Sequence, residues 1–262
     1  MKPIKFLILF SLGLCLFTAC TEDNGIMDGS KNESRFKNPM AYVGDIHNQA
    51  LDALATNDIS IDDLCSFADS YVADEFPEIN TLTPQINEIS NKAQNVAMRI
   101  GIERSVSYRT RGESESETAD SIYNEIPQNC KPFIDEMISI IKSNEIDSLV
   151  ILNKFEELDY AIFASTTLSD EDKNGLWTCS SIAYSSYMYN LSSISSRAVT
   201  AEGVVSADLE SAVGGFLSWK FWGKTATGLV FGPGGAVMCA TREIVQCAII
   251  GSGANIVKGL LW

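Results

Sequence analysis

Apolar residues recur three and four positions apart along most of this chain, the spacing of one helix face. Val43, Ile46, His47, Ala50, Leu51 and Leu54 form a first stripe, running to about Ala55. It follows Asn38-Pro39, a capping residue and a proline suited to the first helical position. Ser60 and Asp63 make a capping-box start, after which Ile61, Leu64, Cys65, Phe67, Ala68, Tyr71 and Val72 predict a second helix. Thr83-Pro84 opens a third, with Ile86, Ile89, Ala93, Val96, Ala97 and Ile100 on one side. Beyond Pro127 and Pro132, Phe133, Ile134, Met137, Ile138 and Ile141 form another stripe. Leu149, Leu152, Phe155, Leu158, Ile162 and Phe163 form a longer one. Ser169-Asp170-Glu171-Asp172 is an acid-rich helix start, continued by Leu176, Cys179, Ala183, Tyr187 and Leu191. No segment alternates at period two. The fold class that follows is all-α, a multi-helix bundle.

Two stretches interrupt the periodicity. In residues 109–119 glutamates alternate with serine and nothing can be buried, so an exposed acidic loop is expected. Residues 203–262 hold 11 of the 18 glycines together with Trp219, Trp222 and Trp262. Gly228, Gly232 and Gly235 mark positions where helices could approach closely. The uncharged run from Thr225 to Thr241 is 17 residues, at the lower limit for a span of roughly 20. Gly232-Pro233-Gly234-Gly235 breaks it, and Arg242-Glu243 closes it. The expectation is a glycine-rich helical hairpin of two short helices turning at Gly232-Pro233-Gly234-Gly235. Such a hairpin either packs back on the acidic helices or enters a membrane.

The start of the chain reads differently. Lys2 and Lys5 precede the apolar run Phe6–Phe17, too short to span a bilayer and shaped like a secretory signal. Leu16-Phe17-Thr18-Ala19-Cys20 resembles the lipobox of bacterial lipoproteins, in which the cysteine is lipidated and becomes the first mature residue. That resemblance implies acyl chains on Cys20 and stable membrane attachment. Thr21 after the cysteine looks like outer-membrane retention, and Glu22-Asp23 is similar to surface-export tethers. The localisation expected is the outer membrane or cell surface, with the periplasmic face as the alternative. The domain reading is therefore a signal peptide over 1–19, a flexible tether over 20–37, an acidic helical domain over 38–202 and the hairpin over 203–262.

Charge narrows the partners. The formal charge is −15, and −17 without Lys2 and Lys5, which argues against nucleic acid and anionic headgroups as main partners. The membrane, through lipid on Cys20, is the one partner the sequence indicates; a protein or surface partner stays unspecified. The five remaining cysteines (Cys65, Cys130, Cys179, Cys239 and Cys247) form no Cys-x-x-Cys pair, so neither a metal nor another cofactor is indicated. His47 is the only histidine, and with Asn48 it is the candidate polar site, structural or functional. No Gly-x-Ser-x-Gly elbow, His-Glu-x-x-His pair or phosphate-binding loop accompanies it, so no catalytic residue is assigned and a non-enzymatic role is expected. Tyr184, Tyr187 and Tyr189 share one predicted helix as packing or recognition groups.

Val43-Gly44-Asp45-Ile46-His47-Asn48, Leu168-Ser169-Asp170-Glu171-Asp172-Lys173 and the Asp208…Gly214-Gly215…Gly232-Pro233-Gly234-Gly235 tail together resemble a group of uncharacterised bacterial lipoproteins or secreted proteins. The tail alone is similar to the glycine-zipper segments of two-peptide bacteriocins. The first resemblance implies an envelope or interaction module. The second implies a membrane-active protein whose hairpin inserts into a bilayer.

Overall fold

A helix that is apolar on one stripe packs at a bundle's edge, whereas one apolar on every side must sit at its centre. The computed structural model follows that rule. It describes residues 36–57, 59–77, 84–110, 117–143, 145–193, 201–220 and 224–260. Among them are nine helices and no strand: α1 Ala41–Thr56, α2 Leu64–Glu75, α3 Pro84–Thr110, α4 Glu117–Glu125, α5 Lys131–Lys142, α6 Ser148–Ala164, α7 Asp170–Ser193, α8 Ala201–Ser218 and α9 Lys224–Leu260. The all-α bundle is thus found. The segment read as signal peptide, Cys20 and most of the tether lie outside the described residues.

The starts follow the polar signals. The Asn38 side chain accepts the Met40 N–H at 2.8 Å, and the Asp63 N–H donates to Ser60 Oγ at 3.3 Å. Ahead of α7 the capping box is reciprocal. The Asp172 N–H donates to Ser169 Oγ at 3.2 Å, and the Ser169 N–H to Asp172 Oδ2 at 3.3 Å.

α9 is the centre. Thr241 through Asn255 are buried without interruption, and α8, α3, α7, α1 and α2 all pack on this helix. α8 runs antiparallel to it, with Gly215 against Ile244 and Cys247 and Gly251 against Ser211 and Ala207. α3 crosses α9 where Gly101 meets Gly251. A Cβ on Gly101 would stand 2.1 Å from the Gly251 carbonyl oxygen, so the two backbones touch only because neither residue has a side chain. Gly44 does the same for α1 and α7, its absent Cβ falling 2.6 Å from the Ser181 carbonyl oxygen.

Several expectations need correction. The hairpin exists, but its arms are α8 and α9, joined after Trp219-Lys220. α9 runs through Gly232-Pro233-Gly234-Gly235 as one 37-residue helix, about 55 Å long at 1.5 Å per residue. Proline there removes one backbone donor, yet the buried remainder of α9 and its packing on five other helices outweigh that local cost. Nor is 203–262 a separate domain, because Phe36–Trp262 forms one compact unit. Gly228, Gly232 and Gly235 lie on the first half of α9, with their surroundings outside what is described; among the described residues close backbone contacts are made by Gly44, Gly101 and Gly251. Of the stretch expected as an acidic loop, residues 111–116 lie outside the described residues, and its two ends are helical. Arg109 and Thr110 end α3, and Glu117–Ala119 begin α4 with Thr118 and Ala119 buried. The tether ends earlier too, since Phe36 stacks on Phe163 at 4.8 Å and on Trp177 at 5.4 Å.

Candidate functional site

His47 sits on the buried stripe of α1 and is sealed from solvent. Asn48 Nδ2 donates to the Ser185 carbonyl at 3.0 Å, which turns Asn48 Oδ1 toward His47 Nδ1 at 3.2 Å. The Nδ1–H therefore donates, and Nε2 faces Asp208 Oδ1 at 3.7 Å and Ser252 Oγ at 3.4 Å, the Ser252 hydroxyl itself donating to the Ala248 carbonyl at 2.9 Å. Asp208 is equally buried, and Ser186 Oγ donates to its other oxygen. Burial lowers the His47 pKa to about 4 against the pull of the Asn48 bond. Burial also drives Asp208 well above the carboxylate range, the Ser186 bond opposing. Both shifts favour uncharged groups. Among the described residues Asp208 Oδ1 has no hydrogen-bond partner.

The sequence named His47 and Asn48 together although neighbours on a helix do not stack; the structure sets their side chains in contact and adds Asp208, Ser186 and Ser252. These five side chains come from α1, α7, α8 and α9 and pin four helices at one point. Sealed on every side, the pair is a structural joint and offers no surface to a substrate. Asp208 was visible in the sequence only as the acid that opens an apolar stretch.

The tyrosines divide. Tyr187 is buried with its hydroxyl donating to the Glu145 carbonyl at 2.7 Å. Tyr189 donates to Asp52, and Tyr184 meets Phe155 edge-on at 5.6 Å. All three are packing groups. Cys130, Cys179, Cys239 and Cys247 are buried free thiols and Cys65 is half-buried. Burial pushes Cys130 and Cys239 up to about 11, which keeps them protonated and unreactive. Among the described residues no group of three or more His, Cys, Asp or Glu could hold a metal ion.

The feature open to a ligand lies elsewhere, in a cleft of about 310 Å³ between α3, α4, α5 and α8. Its floor is aliphatic: Ile122, Ile126, Ile134, Ile138, Ile141, Leu209 and Val213. All but Ile126, which follows the end of α4, come from helices, and α5 contributes Ile134, Ile138 and Ile141. Its mouth is charged, with Arg104, Glu210, Lys142, Asp120 and Asp135 beside Tyr123. Arg104 grips Glu210 with two guanidinium nitrogens, Nε at 2.8 Å from Oε2 and a second on Oε1. Burial raises the Glu210 pKa even so, and Asp120 adds to that while Arg104 and Lys142 oppose it. Among the described residues no histidine or cysteine lines the cleft. An apolar floor beneath a few fixed polar groups is the form of a small-molecule or side-chain binding site. Sequence periodicity placed Ile134, Ile138 and Ile141 on one helix stripe without showing that the four helices leave a gap there.

Compared with protein-family models, curated proteins and solved structures, the chain matches none. Among the described residues no helix is long and apolar enough to cross a membrane.

Proposed function

We propose that the protein is a lipid-anchored bacterial envelope lipoprotein, held to the outer membrane or cell surface by acyl chains on Cys20. Its helical bundle acts as a non-enzymatic binding module. The observation that carries the binding role is the cleft between α3, α4, α5 and α8, with its aliphatic floor and its clamped Arg104–Glu210 mouth. The anchoring half rests on Lys2, Lys5, the apolar run to Phe17 and Thr18-Ala19-Cys20. A short polar stretch after Cys20 would let the bundle stand off the membrane.

The cleft is tested with a neutral apolar dye, N-phenyl-1-naphthylamine, whose fluorescence rises in a dry site. Dye binding should be saturable in the native protein and lost in Leu209→Trp, which fills the floor. Undiminished dye fluorescence in a Leu209→Trp protein of native helix content would show that the cleft is not the binding site.

A further inference from the structure

Among the described residues, most of the large apolar side chains left in solvent belong to one helix. Ile146, just before α6, is 81% exposed, and Leu149, Val150, Tyr160 and Phe163 on α6 are 66%, 36%, 57% and 51% exposed. Elsewhere only Tyr42 and Met238 are comparable. These five are not the core stripe misplaced. Ile151, Phe155, Leu158 and Ile162 carry the opposite side of α6 into the bundle, and the helix packs chiefly on α5 and α7. At 100° per residue, Leu149, Val150, Glu156, Glu157 and Tyr160 share the outward side, with Lys154 and Phe163 on its two flanks; Glu156 lies toward the Phe163 flank and Glu157 toward the Lys154 flank. A second apolar surface of this kind marks a protein contact.

The order of residues along that surface says which contact. An aliphatic group lies at one end, an aromatic group at the other, and Lys154 and Glu157 stand between them. The arrangement is self-complementary about a point between Phe155 and Glu156. When two copies of α6 are laid antiparallel across a two-fold axis there, Leu149 and Val150 of each face Tyr160 and Phe163 of the other. Lys154 then faces Glu157 twice. A parallel pairing would instead set Lys154 on Lys154 and Glu157 on Glu157. Among the described residues neither Lys154 nor Glu157 has an ion-pair partner within the chain. The aromatic end is also rigid, because Phe163 is backed by Phe36 and Phe36 by Trp177, the character of an anchoring hot spot.

We infer that the outer side of α6 is a homodimer interface, formed by antiparallel self-pairing of this helix. Opposite charges at its centre give register to two chains that each carry −15 and otherwise repel. One helix pair falls at the small end of stable interfaces, so the dimer belongs in the micromolar range.

The test is sedimentation velocity of the chain from Phe36 onward, the single compact unit, at about 1 to 200 μM, the range such an interface implies. The native protein should pass from monomer to dimer. Lys154→Glu and Glu157→Lys should each weaken dimerisation about tenfold or more, since each sets like charges face to face. An equimolar mixture of the two variants should dimerise again, because one chain is then acidic and the other basic at the centre. Leu149→Glu should give monomer with unchanged helix content. A native chain that stays monomeric at the top of the range would overturn the inference. So would single charge variants that dimerise like the native chain, or a mixture that regains nothing.

Discussion

The buried proton carriers set how the molecule responds to pH. Asp159, Glu243 and Asp208 keep protons in the folded chain that an unfolded chain releases near pH 4, burial being the main cause in each. A raised pKa contributes stability that is complete below the unfolded value and lost as pH rises. The windows run from 3.8 through about 6 for Asp159 and from 4.5 through about 7 for Glu243, with Asp208 upward from 3.8. His47 runs the other way, losing its contribution as pH falls from 6.5 toward about 4. Glu210 is raised in the same sense, so four groups outweigh one; stability should fall between pH 5 and pH 8, and a melting curve at each pH checks it. Glu243→Gln should raise stability at pH 8 by about 1–3 kcal/mol and leave it unchanged at pH 4.5. Steric fit gives a second outcome. Gly101→Ala should cost roughly 2 kcal/mol or more in chemical denaturation, because its Cβ would meet backbone, which cannot swing aside. Neither outcome was legible in the sequence. His47 is 161 residues from Asp208 and Gly101 is 150 from Gly251, and periodicity assigns a residue to a face without naming the opposite face.

At the scale of elements the sequence was far more readable. Capping residues and apolar spacing placed α1, α2, α3, α5, α6 and α7 close to their observed starts, since both signals act within one or two turns. Ser169→Ala should accordingly cost about 1 kcal/mol by removing the cap on α7, read as a shift in the denaturation midpoint. What failed was the weighing of glycine and proline against packing. Local propensity made Gly232-Pro233-Gly234-Gly235 a turn, while the structure carries α9 straight through it. The two readings predict opposite signs. In a continuous helix Pro233→Ala restores a backbone donor and should raise the melting temperature. In a turn it would free the chain and lower it. The spacing also placed Leu149 and Phe163 in the core, whereas both face out on α6. A helix with two apolar sides leaves no single stripe for periodicity to resolve.

Phe36 to Trp262 is one compact unit, although charge divides the sequence near residue 203, beyond which four basic residues stand against three acids. Composition tracks exposure: α8 and α9 are sparsely charged because they form the interior, and the surrounding helices carry the acids because they face water. A chain ending at Glu202 should therefore not fold, and its circular dichroism should lack the thermal transition that the complete bundle shows once. The same composition suggested a membrane hairpin, and a bundle centre satisfies it equally well, both being dry environments. Placement at the membrane rests instead on Cys20, which makes attachment the central point to test. The direct measurement is protease digestion of intact cells expressing the native protein or Cys20→Ala. A surface lipoprotein predicts that the native bundle is digested on the cells, while Cys20→Ala is shed or left unprocessed. Native protein that stays protected in intact cells, with Cys20→Ala fractionating in the same way, would contradict the account.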